Sequence, residues 1–170
     1  IANLIPLFIC FMGFNSYLDN PDKREKVTKF FIAGTVPVLI SCVGQYWFNW
    51  YGPFEIFNGL IKWFQRPLIT NQNVTGLFSN PNYTGAWLTM MLPLSIALLK
   101  EKIYTRELIK VYIMFLITGI ISLSLVLTNS RNAWIGAIIV VPFLLNKKKL
   151  KYYILLITFL FVLIISSFLP

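Results

Sequence analysis

The chain has 170 residues, of which 57% are hydrophobic and only 12% are charged, and its formal net charge is +9. Its mean hydropathy is +0.71. A soluble domain usually has about 25% charged residues, so the composition excludes an ordinary soluble domain and predicts an integral membrane protein. The chain has no histidine, and both of its cysteines lie in apolar runs. This leaves little for a zinc, haem or iron–sulfur site, and we expect no metal and no cofactor.

Six apolar runs follow one another along the chain: 1–18, 30–48, 85–99, 111–127, 132–145 and 153–169. Because a bilayer core about 30 Å thick needs about 20 helical residues, the runs predict an all-α, polytopic helical membrane protein with about six transmembrane helices. The chain opens on IANLIPLF without a methionine and closes on an apolar run. We therefore expect it to be a fragment of a longer protein.

The basic residues are concentrated in alternate connections between these runs. The segments DNPDKREKVTK (19–29), KEKIYTRELIK (100–110) and NKKKLK (146–151) hold twelve of the fifteen Lys and Arg residues. As the first, third and fifth connections of a six-span chain, they lie on one side of the membrane, and the positive-inside rule predicts the cytoplasm. The loop 49–84 and residues 128–131 are then periplasmic. This distribution favours a multi-pass protein of the bacterial inner membrane whose partner is the lipid bilayer, and we expect no nucleic-acid partner.

The periplasmic loop contains the segment PFEIFNGLIKWFQR (53–66). On a helical wheel its large apolar residues share one half and its polar residues share the other, which is typical of an amphipathic helix in the membrane interface. The alternative is a short helix packed on the outer ends of the spans. In both cases we predict a lid or rim of the site.

Two of the apolar runs, 85–99 and 132–145, are too short to span a membrane. The run 132–145 has 14 residues before the lysine cluster, which reach only about 21 Å at 1.5 Å per residue. With the lysines at the inner surface, each short helix must include residues of the polar motif before it, SNPNYT (79–84) or TNSRN (128–132). The first motif predicts a helix that begins near Pro81 and is capped by Ser79 or Asn80.

Polar backbone at that depth is tolerated only where it is buried in protein or lines a wet cavity. We therefore predict that both motifs line one outward-facing pocket in which Arg131 binds an anion. Thr128 and Ser130 add polar groups around the guanidinium, and the helix start at Asn80 and Asn82 offers free N–H groups. Two alternatives remain open: Arg131 snorkels to outer headgroups, and SNPNYT is an ordinary helix start.

The segments GLFSNPNYTGAWLTMMLPLSIALL (76–99) and LTNSRNAWIGAII (127–139) together resemble the O-antigen ligase and polymerase superfamily, most closely its cyanobacterial bicarbonate-transporter-like branch. The patterns are roughly G-x-[FL]-x-[ND]-P-N-x-x-[AG] and [ST]-x-S-R-[GA]-A-W. The matching residues are Gly76, Phe78, Asn80, Pro81, Asn82, Thr128, Ser130, Arg131, Ala133 and Trp134. Asn132 departs from the pattern, which has glycine or alanine at that position.

The resemblance implies a metal-independent glycosyltransferase, a ligase or polymerase that moves glycan from an undecaprenyl-diphosphate carrier to a glycolipid acceptor on the periplasmic face. It gives Arg131 a catalytic role on the diphosphate, with Ser130, Thr128, Asn80 and Asn82 as substrate-binding residues. It divides the chain into N-terminal transmembrane helices (1–110) and the start of the ligase-like core (111–170), which ends before a large periplasmic loop.

In the superfamily that large loop supplies a histidine as the general base. The chain has no histidine, so we expect the fragment alone to be inactive. Two other functions remain open, an inorganic anion (bicarbonate) transporter and a non-catalytic assembly subunit. A transporter is expected to contain an inverted repeat, and no convincing internal repeat is present in this sequence.

Overall fold

The computed structural model describes residues 12–14, 16–63, 65, 68, 73–140 and 144. Within these residues the elements with described bounds are four helices, one 3-10 turn and one two-stranded hairpin, and residues 12–14 and 16–17 are also helical. In chain order they are α1 (Pro21–Trp47), β1 (Phe54–Ile56), β2 (Ile61–Trp63), a 3-10 turn (Gly76–Phe78), α2 (Pro81–Tyr104), α3 (Leu108–Leu127) and α4 (Arg131–Val140). The described part is mainly helical, which confirms the predicted all-α class at that level.

Helices α1 and α2 begin in the same way, with an asparagine cap followed by proline. The Asn20 Oδ1 accepts a hydrogen bond from the Asp22 N–H at 3.0 Å, and the Asn80 Oδ1 accepts one from the Asn82 N–H at 2.8 Å. Proline suits the first helical position because its missing N–H would have no partner there. The predicted helix start at Pro81 with Asn80 as its cap is confirmed. By including most of SNPNYT, α2 reaches 24 residues, or about 36 Å.

Six spans were predicted, but only two of the described helices, α1 and α3, are long and apolar enough to cross a membrane. Helix α2 has the length, but the polar motif at its start and the charged residues at its end make it less apolar. Helix α4 is apolar but has 10 described residues. The predicted spans 1–18 and 153–169 lie largely or wholly outside the described residues, as does the basic segment 146–151.

Helix α3 exposes much of its apolar surface. Only 17% of its most apolar stretch is buried inside the protein, whereas a core helix of a soluble protein is mostly covered. Its exposed side chains include Leu108, Ile109, Phe115, Leu116 and Val126. A continuous apolar surface of this kind is suited to hydrocarbon surroundings.

The predicted amphipathic helix over 53–66 is wrong, because residues 54–63 form an antiparallel hairpin in which Ile56 faces Ile61. The Leu60 N–H donates to the Phe57 carbonyl at 3.1 Å, and the intervening Asn58 and Gly59 have φ values of 53° and 88°. Positive φ at both central residues is the requirement of a tight hairpin turn, which Asn-Gly meets with little strain. That local turn overrides the helical spacing of the apolar residues.

The hydrophobic core lies where α1, α3 and α4 pack around α2. Its fully buried members include Leu88 and Met91 of α2, Ile121 of α3 and Ile32 of α1. Contacts from α2 to α3 and α4 cross residue 110, so the two predicted segments 1–110 and 111–170 share one core in the described part of the chain.

Charged residues join three helix ends at one end of this bundle. The Lys102 Nζ at the end of α2 lies 3.0 Å from the Glu25 Oε1 of α1 and 3.5 Å from the Glu107 Oε1 just before α3. The basic connections 19–29 and 100–110 therefore meet at the same end of the described bundle. The neighbouring Lys29, followed by Lys102, lowers the pKa of Glu25 to about 2. The carboxylates of Glu101 and Glu25 raise the pKa of Lys102 above its usual value.

Candidate functional site

The starts of α2 and α4 meet at the opposite end of the bundle, and Gly85 makes this close approach possible. A Cβ atom at Gly85 would lie 2.7 Å from the Ala133 Cβ and 3.0 Å from the Ser130 Cβ. One turn further along, the Thr89 hydroxyl donates to the Ala133 carbonyl at 3.0 Å. The lack of a side chain at residue 85 thus brings the two polar motifs into contact.

A hydrogen bond between side chains joins the two motifs. The Ser130 hydroxyl donates to the Asn82 Oδ1 at 3.0 Å, across 48 residues of sequence. Ser130 is buried while Asn82 is exposed. The bond therefore fixes the position of the residue just before α4 relative to the first turn of α2.

The turn between α3 and α4 places Arg131 at the first position of α4. The Thr128 hydroxyl donates to the Leu125 carbonyl at 2.8 Å, and the Trp134 Nε1–H donates to the same carbonyl at 3.2 Å. Asn129 adopts a φ of 51°, a left-handed conformation that asparagine accepts more readily than most residues. The chain therefore reverses within three residues, and α4 begins at Arg131.

Arg131 is an exposed cation at the positive end of a helix. Among the described residues its guanidinium makes no hydrogen bond or ion pair. The same holds for the side chains of Lys26 and Arg106, whereas five other lysines each lie beside a carboxylate: Lys23, Lys29, Lys62, Lys102 and Lys110. The first N–H groups of a helix have no partner within the helix, and the helix dipole adds to their positive character. A guanidinium beside these groups can bind an anion.

The other predicted site residues differ in whether their side chains are free to bind a ligand. The side chains of Asn80, Thr128 and Ser130 bond within the protein, as helix cap, turn cap and link between motifs. Asn82 is exposed, and its Nδ2 group has no acceptor among the described residues. The structure thus brings the predicted residues together but leaves Arg131 and Asn82 as the two that face outwards.

A buried amide that sequence analysis missed supports this arrangement. The Gln45 Oε1 near the end of α1 accepts from the N–H groups of Thr75 and Gly76 at 2.9 and 3.1 Å, and its Nε2 donates to the Thr75 Oγ1 at 2.9 Å. The Thr84 hydroxyl of α2 donates to the Thr75 carbonyl. Residues 75–76 therefore connect α1 to the start of α2. The available signal was one amide in the apolar run 30–48, where an unpaired polar group would be costly.

The neighbouring Val74 N–H donates to the Leu127 carbonyl at the end of α3 at 3.0 Å. Gly76 has a φ of 50°, and a Cβ atom there would lie 3.0 Å from the buried Cys42 Sγ. Glycine is thus required at residue 76 by both its backbone conformation and its close packing. The segment 74–76 connects α1, α2 and α3 behind the two motifs.

The chain matches no protein-family model, no curated protein and no solved structure. The resemblance to the O-antigen ligase superfamily therefore depends on the two sequence motifs alone.

Proposed function

We propose that the chain belongs to an inner-membrane glycan ligase or polymerase of the O-antigen ligase type. In this proposal the start of α4 binds the diphosphate of a polyprenyl-linked glycan on the periplasmic side. The main support for this proposal is the contact between the two motifs. Ser130, which donates to the Asn82 Oδ1 at 3.0 Å, directly precedes the exposed Arg131 at the first position of α4.

The membrane placement in this proposal has three supports. Helices α1 and α3 have the length and composition of membrane spans. Two of the basic connections, 19–29 and 100–110, meet at one end of the bundle through Lys102 and Glu25. Exposed aromatic residues cluster at the other end of α1, as expected at a bilayer interface: Tyr46, Trp47, Phe48 and Trp50. The proposed topology has six spans, with the basic connections in the cytoplasm and Arg131 in the periplasm.

In the transfer step, an acceptor hydroxyl oxygen attacks the anomeric carbon of the donor glycan. The bond from that carbon to the diphosphate oxygen breaks, and polyprenyl diphosphate leaves with the electron pair while the hydroxyl proton passes to a base. The guanidinium of Arg131 can bind two phosphate oxygens at once. Because negative charge grows on the diphosphate as the bond breaks, a fixed cation there stabilises the transition state more than the ground state.

The test uses the full-length protein expressed in a strain from which its gene has been deleted. We expect Arg131→Ala to lower transfer at least about a hundredfold, so that glycan accumulates on the polyprenyl carrier instead of the acceptor. Arg131→Lys is also expected to lose most of the activity, because one ammonium cannot replace the planar fork. The measurement is the ratio of acceptor-linked to carrier-linked glycan at matched membrane expression.

The matched control is Lys62→Ala, an exposed cation on the hairpin that pairs with Glu55 at 2.8 Å. It is expected to retain transfer. If the deletion itself leaves glycan transfer intact, the proposed function is wrong, and bicarbonate uptake in the same strains becomes the next measurement.

A further inference from the structure

A cavity lies between α1, α2 and α3, at the end of the bundle opposite to Arg131, where the basic connections 19–29 and 100–110 meet. Its volume is about 190 Å³. Three apolar side chains and three lysines line it, with one lysine from each helix: Leu98, Ile113, Met114, Lys29, Lys102 and Lys110. The wall is thus apolar, because the lysines line it with their stems while their ammonium groups lie in ion pairs with carboxylates.

Two of these lysines, Lys29 and Lys110, pair with carboxylates but stay exposed on one side. Lys102 is almost buried and lies within 3.5 Å of three carboxylates, those of Glu25, Glu101 and Glu107. Glu25 also pairs with Lys29, and Glu107 also pairs with Lys110, so both carboxylates are shared with Lys102. The side chains of Lys29 and Lys110 remain 54% and 60% exposed. An ammonium group has three N–H donors, so the exposed groups of Lys29 and Lys110 keep donors for a phosphate beyond the carboxylates they already bind.

The surroundings of the cavity are positively charged overall. The connections 19–29 and 100–110 together contain eight Lys and Arg residues against five Asp and Glu residues. Basic pockets between transmembrane helices on the cytoplasmic side are suited to anionic lipid headgroups. A soluble anion would use the lysines but would leave the apolar wall uncovered, whereas a phospholipid fills both parts.

We propose that this cavity binds an anionic phospholipid of the inner leaflet. The phosphate lies at Lys29 and Lys110, and the first part of an acyl chain packs against Leu98, Ile113 and Met114. The site depends on the membrane orientation proposed above but not on glycan transfer, so the two proposals can fail separately.

The test is a lipid titration of the purified full-length protein in detergent, followed by native mass spectrometry. The probes are phosphatidylglycerol and phosphatidylcholine with identical acyl chains. We expect selective binding of phosphatidylglycerol, weakened about 25-fold by combining Lys29→Gln with Lys110→Gln, or about fivefold per lysine. The matched control is Lys23→Gln, because Lys23 lies on the same helix in an i,i+4 pair with Asp19 but does not line the cavity.

A second variant tests the apolar part of the site. Ile113→Trp keeps every charge and fills the cavity, so it is expected to weaken phosphatidylglycerol binding as well. Equal binding of the two lipids would overturn the proposal. So would a double lysine variant that behaves like Lys23→Gln, or full binding to the Ile113→Trp protein. A transfer-deficient Arg131→Ala protein that still binds phosphatidylglycerol would separate this site from the proposed reaction.

Discussion

Glu25 is expected to make the stability of the folded protein depend on pH in the acidic range. Its carboxylate is shared by Lys29 and Lys102, which lower its pKa from 4.5 to about 2. A group whose pKa falls on folding contributes stability above its unfolded pKa, and that contribution is lost as the pH falls through its folded pKa. The contribution of Glu25 is therefore present at pH 7 and disappears between about pH 4.5 and 2.

We expect Glu25→Gln to lower the free energy of unfolding by about 2 kcal/mol at pH 7 and to flatten its decline below pH 4.5. Thermal unfolding of the detergent-solubilised protein over a pH series measures both effects. The control is Glu55→Gln, since Glu55 forms an exposed ion pair with Lys62 that is worth less than about 1 kcal/mol. An acid profile for Glu25→Gln that is parallel to wild type would contradict this assignment.

The sequence predicts single residues well where the cause is local. Asn80 caps a helix that begins at Pro81 because both residues act within one turn. Gln45 was missed because its partners, Thr75 and Gly76, are about 30 residues away. Nothing in the neighbourhood of Gln45 shows which backbone groups it will meet.

At the scale of elements, the junction of α2 and α4 depends on Gly85. Gly85→Ala places a Cβ atom 2.7 Å from the Ala133 Cβ, so one helix must shift. We expect a loss of stability of about 1–3 kcal/mol and a larger loss of glycan transfer, because the shift also moves Ser130 and Arg131. Unfolding measurements and the ratio of acceptor-linked to carrier-linked glycan test the two effects separately.

The comparison for Gly85 comes from two other helical glycines, Gly34 in α1 and Gly119 in α3. A Cβ atom at either position meets nothing within 4 Å in the described part of the chain. Alanine is the better helix former by about 1 kcal/mol, so Gly34→Ala and Gly119→Ala are expected to be neutral or stabilising. If Gly85→Ala behaves as these two variants do, the close junction of α2 and α4 is not required.

Residues 54–63 form a hairpin although the sequence predicted a helix over 53–66, and the turn explains the difference. Phe54, Ile56 and Ile61 fall on one side of a helical wheel, but they also suit two short strands on either side of Asn58-Gly59. Over so few residues the two periodicities cannot be distinguished. The turn decides between them, because Asn and Gly accept positive φ at low cost whereas a helix would gain little from either residue.

At the scale of the whole molecule, the charge pattern fixes a predicted orientation. Residue 58 at the tip of the hairpin is expected in the periplasm, and residue 105 between α2 and α3 is expected in the cytoplasm. We expect Asn58→Cys to react with a membrane-impermeant maleimide in intact spheroplasts, and Thr105→Cys only after permeabilisation. Both variants are made in a Cys10→Ala, Cys42→Ala background. The reverse labelling pattern would show that the proposed orientation is wrong.

A membrane orientation could be proposed from the sequence, whereas the packing of the helices could not be predicted from it. Positions 19–29 and 100–110 depend only on which side of a bilayer retains lysine and arginine. The shared core of Leu88, Met91 and Ile121 depends on how side chains of three helices fit together. Apolar composition alone does not specify that fit, so the contacts of α2 could not be predicted from the sequence.

The position of Arg131 at the start of α4 also has a consequence for the unbound protein. A cation beside a positive helix end opposes local stability by about 0.3–1 kcal/mol, and within the described residues no carboxylate relieves it. A neutral Arg131→Gln protein should therefore unfold at a slightly higher temperature than wild type although it transfers no glycan, and added pyrophosphate should stabilise only the wild type. A lower unfolding temperature for the variant would instead assign Arg131 to the fold. The residue most needed for activity is thus expected to be one that the empty protein would be more stable without.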